Sequence, residues 1–271
     1  MIVAIILADF TQPLIRGHVP YLLPMGDETV IERIARVVLR GPFGGTIVAS
    51  AASFHSEVRS ALEGFAVQHV ALGGGGGELQ SGSAGAAAQA LKFAESFRVR
   101  WEKAMAAAAE RFGAGDDDED DDAPQTPPGA RKPRNKKAAD WASHSRSADV
   151  KVRGLARSFE RDGVILFRGD CPLIAPDLQA QVVEAFARDA PIKAKGRRPF
   201  AQAVHNGLRG YPLVIERAAI PELLALPPQT VFDDWLLAQL PRIQDVPVQD
   251  GAILQRIGSD EDYENILGAL E

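Results

Sequence analysis

Residues 162–176 read Asp-Gly-Val-Ile-Leu-Phe-Arg-Gly-Asp-Cys-Pro-Leu-Ile-Ala-Pro. Val164 to Phe167 is a short apolar run bounded by turn residues, the pattern of a strand buried on both faces of a parallel sheet. Gly169, Asp170 and Pro172 follow it, and a helix-like segment opens near Pro176. A carboxylate at the carboxyl end of a buried strand, in a turn before a helix, stands where open α/β sheets bind ligands. As a hard oxygen donor, Asp170 suits magnesium beside phosphates better than zinc. The other reading of Asp170 is a cap for the following helix, and the spacing leaves both open.

Outward from this stretch, strand-like and helix-like segments alternate. Towards the N-terminus, Ile2 to Leu7, Thr46 to Ala49 and Val67 to Leu72 read as strands. Between them, Thr29 to Leu39 is an amphipathic helix with Val30, Ile31, Ile34, Val37 and Val38 on its apolar face, and Ser53 to Leu62 is a second helix. An alanine-rich helix starts at Ala84 and runs towards Phe112. Towards the C-terminus come a helix from about Asp177 to Arg188, a basic loop from Lys193 to Arg198, and strand-like Phe200 to Val204. Then follow the turn-rich Asn206 to Pro212, strand-like Leu213 to Ile215, two helices (Pro221 to Leu226 and Thr230 to Gln239) and a strand from Ile243 to Val248. Ser259 with the acids after it is an N-cap signature for a last helix. Alternation of this kind predicts an α/β fold, a three-layer, Rossmann-like, mostly parallel sheet with helices on both faces.

A chain of 271 residues with 46% apolar content is long enough for one large α/β domain with a real core. One break interrupts it. Asp116 to Asp122 is an unbroken acidic run, followed by Pro-Gln-Thr-Pro-Pro-Gly and a basic cluster from Arg131 to Lys137. Like-charge blocks flanked by prolines bury no apolar area, so residues 113–145 read as a disordered insertion within a single domain spanning 1–271, with a second helical stem at about Ala148 to Arg161. The insertion is either a tolerated surface loop or an electrostatic arm for a protein partner. Net charge is -6 and basic residues are mostly scattered, so no nucleic-acid surface is expected. The first apolar run is too short for a membrane span and lacks a basic leader, which makes the cytoplasm the expected location. The one cysteine, Cys171, rules out an internal disulfide and reads as a small buried residue beside the turn.

Four segments together resemble the MobA-like NTP transferase family, the nucleotidyltransferase fold of molybdenum-cofactor guanylyl- and cytidylyltransferases and sugar-phosphate pyrophosphorylases. Leu22-Leu-Pro-Met-Gly-Asp-Glu-Thr-Val-Ile-Glu32 resembles the family's Leu-Leu-Pro-x-x-Gly-x-x-x-Leu-Glu step into its first helix. Gln80-Ser-Gly-Ser-Ala-Gly-Ala86 is similar to the Gly-Thr-Ala segment beside the nucleobase, Gly169-Asp-Cys-Pro-Leu173 to the metal-binding Gly-Asp-x-Pro, and Gly210-Tyr-Pro212 to Gly-His-Pro. The likeness spans nearly the whole chain apart from the insertion, and it implies a sheet of the nucleotide-diphospho-sugar transferase type. It also implies a reaction: an acceptor phosphate attacks the α-phosphorus of a nucleoside triphosphate and expels pyrophosphate. Magnesium (Mg2+) would sit on Asp170, with Arg16 as the remaining phosphate-loop cation. Leu7, Ala8, Gln80, Gly82, Ser83 and Gly169 would line the nucleotide. Gln80 with Gly82 and Ser83 has a second reading, as the cap of the long helix.

The chain also departs from the family. The family's first loop, Leu-Ala-Ala-Gly-x-x-x-Arg-Met-Gly-x-x-Lys, uses glycines and cations to cradle the triphosphate. Here Asp9 and Phe10 take both opening glycine positions, Pro13 removes a donor, and no lysine precedes Leu22, leaving Arg16 and His18. The family's Asp-x-Asp-Thr-Pro-Glu-Asp becomes Arg256-Ile-Gly-Ser-Asp-Glu-Asp262, in which Gly258 replaces the metal-associated aspartate and Asp260 and Asp262 serve the helix start. Lys193, Lys195, Arg197 and Arg198 read as an exposed loop or acceptor contact, and His205 with Asn206 as a turn pair. His55, His69 and His144 lack ligand spacing. Three functions therefore stand: an active NTP transferase acting on a phosphorylated small-molecule acceptor, a nucleotide-binding module that has lost turnover, and a scaffold whose charged arm binds a partner.

Overall fold

The computed structural model describes residues 1–9, 14–73, 84–113, 161–188 and 198–270. They fall in two compact units, Met1–Glu95 with Phe159–Glu271, and Ser96–Ser158. Nearly all of the expected insertion at 113–145, the stem before Arg161 and the basic loop before Arg198 lie outside the described residues.

In chain order the strands are β1 (Ile2–Ala8), β2 (Pro24–Met25), β3 (Glu28–Thr29), β4 (Thr46–Ala51), β5 (Gln68–Leu72), β6 (Gly163–Arg168), β7 (Phe200–His205), β8 (Leu208–Glu216) and β9 (Ile243–Pro247). The α-helices are α1 (Val30–Val38), α2 (His55–Ala61), α3 (Ala84–Gly113), α4 (Pro176–Arg188), α5 (Ile220–Leu224), α6 (Phe232–Ala238) and α7 (Asp260–Gly268). Seven strands form one sheet in the order β5-β4-β1-β6-β8-β7-β9, while β2 and β3 pair separately. β8 is antiparallel to both its neighbours, and the other pairings of the large sheet are parallel. This is the mostly parallel α/β sheet expected from the alternating pattern.

β1 lies at the centre because every one of its side chains is apolar, and all seven residues are buried. β6 pairs with it from Ile2↔Gly163 to Leu7↔Arg168, and it too is buried throughout. Continuous apolar runs are what a strand covered on both faces requires. α1 is held by a capping box: the Glu32 N–H donates to Thr29 Oγ1 at 3.4 Å, and the Thr29 N–H donates to Glu32 Oε2 at 2.6 Å. Its apolar stripe, Val30, Ile31, Ile34, Ala35 and Val38, is buried.

The segment expected as a turn-rich stretch before a short strand folds as a hairpin instead. Asn206 and Gly207 have φ of +50° and +81°, and His205 pairs with Leu208, so β8 begins directly after a two-residue loop. Asn-Gly is the strongest short signal for that turn, because both central residues need positive φ. Further along, the expected 53–62 helix splits into a 3-10 turn at Ala52–Phe54 and α2.

One buried cation stands just before β6. The Arg161 side chain is fully buried, with Nη1 donating to Phe186 O at 2.8 Å. Its Nη2 donates to Arg198 O at 2.7 Å and to Glu216 Oε2 at 2.7 Å, and the guanidinium lies 3.8 Å from the Phe186 ring centre. These bonds join the start of β6 to α4 and to the end of β8. Breaking a buried pair strands its partner's charge. Arg161→Met is expected to lower stability by about 3 kcal/mol, measured as a fall in the urea unfolding midpoint at unchanged slope.

Candidate functional site

From β1 the chain runs outward through β4 to the β5 edge, then returns to β6 on the other side of β1. The connections therefore part between β1 and β6, where ligands of open α/β sheets bind outside the carboxyl ends. At that point the Gly169 N–H donates to Leu7 O at 2.7 Å. A Cβ at Gly169 would lie 2.9 Å from Leu7 O and 3.2 Å from Ala8 Cα, so only glycine allows this approach. Leu7 and Ala8 are buried, and the Leu7 carbonyl is engaged by Gly169, so these two residues frame the turn.

Asp170 follows at 3% exposure. Arg168 grips it as a fork, Nε to Oδ1 at 2.9 Å and Nη2 to Oδ2 at 3.0 Å. From the far end of the chain, Arg256 Nε donates to Oδ2 at 3.2 Å and its Nη2 lies 3.2 Å from the same atom. The Ile257 N–H donates to the Asp170 carbonyl at 2.9 Å, which fixes the Arg256 segment against the turn. Burial works against ionising Asp170, but the hydrogen bonds and charge of Arg168, then the charge and hydrogen bond of Arg256, outweigh it and hold the carboxyl below its ordinary value. Arg168 is itself buried. Its third nitrogen, Nη1, reaches Asp233 Oδ2 at 3.5 Å, and its guanidinium lies 5.5 Å from the Tyr211 ring centre. Tyr211 donates its hydroxyl to Asp233 Oδ1 at 3.0 Å. Burial first, then the Asp233 charge, push that hydroxyl above its ordinary value. Residues from β6, β8, α6 and the segment before α7 thus share one charge network.

Arg168, Arg256, Tyr211 and Asp233 were not singled out from the sequence as site residues. Arg168 carried a signal, since a charge ending a wholly apolar buried strand must have a partner. Beside the network is a cavity of about 240 Å³ lined by Gln202, Arg209, Tyr211, Leu236, Leu254 and Arg256, among others.

The remaining sequence candidates divide. Gln80, Gly82 and Ser83 lie outside the described residues. The first amides of the helix they precede are already used: the Ala84 and Gly85 N–H groups donate to Thr230 O at 2.7 Å and Pro228 O at 3.1 Å. Arg16 does not reach the Asp170 network by any described contact. It sits at φ +52° in a tight turn and pairs with α7, Nε 3.4 Å from Asp260 Oδ1 and Nη2 on Glu264, with its guanidinium 5.0 Å from the Tyr263 ring centre. Asp262 serves the helix start as expected: its N–H donates to Ser259 Oγ at 3.1 Å, and its Oδ2 accepts from the Gly258 N–H at 3.0 Å and from Ser259 Oγ at 2.9 Å. Asp260 is the acid paired with Arg16. His205 and Asn206 form the expected turn pair, with 2.9 Å between Nε2 and Nδ2. Cys171 is fully buried, and its thiol is pushed well above its ordinary value by burial and by the Asp170 charge. That is the opposite of what a nucleophile needs.

The donor set at Asp170 does not fit a divalent ion. Both carboxylate oxygens accept guanidinium bonds, and an incoming cation would meet two positive charges. Among the described residues no three His, Cys, Asp or Glu side chains group to hold a metal. Set against Asp-x-Asp-Thr-Pro-Glu-Asp, Arg256 stands at the first aspartate and Gly258 at the second, so the segment that approaches Asp170 brings an arginine and no carboxylate. The expectation placed magnesium on Asp170; in this structure the charges that face its carboxylate are those of Arg168 and Arg256.

The chain is similar to solved structures along nearly its whole length. A nucleotidyl transferase from Methanothermobacter thermautotrophicus matches with a TM-score of 0.59 at 16% identity, covering 99% of this chain and 97% of that one. The chain has the nucleotidyltransferase fold. CMP:2-keto-3-deoxy-manno-octonic acid synthetase complexed with CTP matches with a TM-score of 0.53 at 13% identity, covering 99% and 98%. The Rv0371c protein of Mycobacterium tuberculosis, solved as a manganese complex, matches with a TM-score of 0.58 at 17% identity, covering 98% and 97%. No protein-family model and no curated protein sequence matches. Among the described residues no helix is long and apolar enough to cross a membrane.

Because the folded-state value of Asp170 is depressed, its contribution to stability is present above the unfolded carboxylate value of about 3.9 and is lost as pH falls through the folded value. Asp170→Asn is expected to cost about 3 kcal/mol near neutrality, as a buried charge loses its partner. The difference from wild type should shrink steadily on acidification. Urea midpoints of both proteins across the acidic range measure it, and a difference independent of pH would contradict the assignment.

Proposed function

We propose that this chain is a MobA-like nucleotidyltransferase that moves a nucleoside monophosphate from a nucleoside triphosphate to a phosphorylated small-molecule acceptor. The observation that carries the reading is the convergence of segments far apart in sequence. Leu7–Ala8, Gly169–Asp170, Tyr211 and Arg256 meet outside the parting of β1 and β6. Convergence at the ligand-binding end of this fold supports a site rather than a scaffold. In the reaction an acceptor phosphate oxygen forms a bond to the α-phosphorus while the bond from that phosphorus to the bridging oxygen breaks, and pyrophosphate leaves. Catalysis of this kind consists mainly of positioning and of fixed positive charge set against the phosphates.

For this chain the half-exposed Arg256, held by Asp170 and lining the cavity, is the cation proposed to meet phosphate oxygens. The cavity itself, with Gln202 and Tyr211 on its wall, is the proposed acceptor pocket. We place the reaction in the cytoplasm, the compartment that a single unpaired cysteine suits. The acidic and basic stretch from Asp116 to Lys137 is the proposed contact for a protein partner.

A second reading, a nucleotide-binding module without turnover, is favoured by one observation, the occupation of both Asp170 oxygens by arginines. Calorimetric titration with ATP, GTP, CTP and UTP, followed by pyrophosphate-release assays over a panel of sugar phosphates and other phosphorylated acceptors, separates the two. Acceptor-dependent release from one nucleotide is the expected result. Binding without release would leave the module reading, and binding of none of the four would end both. Arg256→Ala should weaken the nucleotide by about tenfold, the worth of one charge-assisted hydrogen bond.

A further inference from the structure

We infer that Arg168 and Arg256 do the work of a divalent ion at this site, so that the cleft excludes metal at Asp170 and receives its phosphate-bearing ligand with guanidinium charge alone. The exclusion stands on geometry, and only the identity of the ligand rests on the nucleotidyl-transfer reading. Two guanidinium groups carry together the two positive charges of a magnesium or manganese ion. They occupy both oxygens of the carboxylate that an ion would need, one as a fork at 2.9 and 3.0 Å and the other at 3.2 Å.

The replacement is built in. Arg168 ends a strand that is otherwise apolar and buried, and Asp233, reached at 3.5 Å and itself bonded to the Tyr211 hydroxyl, holds its remaining side. Arg256 is fixed by the Ile257 N–H on the Asp170 carbonyl. Metal entry at Asp170 would have to expel Arg168 from burial, stranding its charge in the interior. Arg256 is different. Its side chain is half exposed and faces the cavity, so its charge is set both against the carboxylate and towards an arriving anion. Guanidinium groups suit that role, being always charged and matched to planar oxygen pairs and to phosphate. A fixed cation of this kind needs no ion delivered with the substrate.

Cys171, the only cysteine, adjoins Asp170, so the full chain labelled with [15N]cysteine gives one amide signal next to the site. Manganese alone, added to one equivalent, should leave that signal intact, because no paramagnetic ion comes near it. Loss of the signal, not reproduced by the same amount of magnesium, would overturn the exclusion. This measurement uses the wild-type chain and does not depend on a variant folding. As a second readout, manganese should raise the thermal midpoint no more than potassium chloride of equal ionic strength, since an ion bound only to the folded state would raise it. A manganese-specific rise that Asp170→Asn abolishes would also overturn the inference.

For the ligand, CTP should bind with the same affinity, within about twofold, in chelator and in magnesium. Binding that appears only with magnesium would overturn the guanidinium role. If CTP, GTP, ATP and UTP all fail to bind under both conditions, the nucleotidyl-transfer reading falls, while the manganese result still decides the exclusion.

Discussion

A carboxylate taken out of water must be neutralised, and the way Asp170 is neutralised organises the elements gathered around the end of β6. Its fork with Arg168 lies inside a single strand-end turn, yet the same guanidinium reaches Asp233 on α6 and lies near Tyr211 on β8. Arg256 brings in the segment that opens α7. A bond between residues 86 apart in the chain thereby helps hold these elements to one point. The buried pair has little value as a source of net stability, because desolvation consumes much of the attraction. Its value is geometric, since each charge draws its partners from separate elements to one place.

The sheet makes the same point through its backbone. The turn after β6 closes against the end of β1, and Gly169 is the residue that lets it come this near. The apolar runs of the two strands set their burial, while the glycine sets how closely the turn can follow. Phe167 in β6 and Phe43 beyond α1 pack edge to face at 6.2 Å.

Much of the fold could be read in the sequence because its signals are local. Continuous apolar runs marked β1 and β6, the amphipathic pattern of residues 29–39 marked α1, and Ser259 marked α7 through a bond to Asp262, three residues on. The hairpin at Asn206–Gly207 is equally local: the turn was legible, and the strand that begins directly after it at Leu208 is set by pairing with His205. The site was harder. Asp170 stood out by its position, but whether it meets a metal, a helix amide or an arginine depends on side chains brought from residues 168, 233 and 256, and no spacing rule links those numbers. Arg16 makes the same point, because a cation's partner is chosen by the fold, and here the partners are acids on α7.

β9 has a consequence for association. Among the described residues it forms one margin of the sheet, where backbone groups are open to pairing with another chain. It ends in Pro247, which has no N–H to offer, and it carries Asp245, which two nitrogens of Arg209 hold at 2.7–3.0 Å. A strand arriving from a second molecule would find a short ladder with a missing donor and an ion pair beside it. The molecule therefore carries its own guard against edge-to-edge aggregation at this margin, and the guard costs the interior nothing.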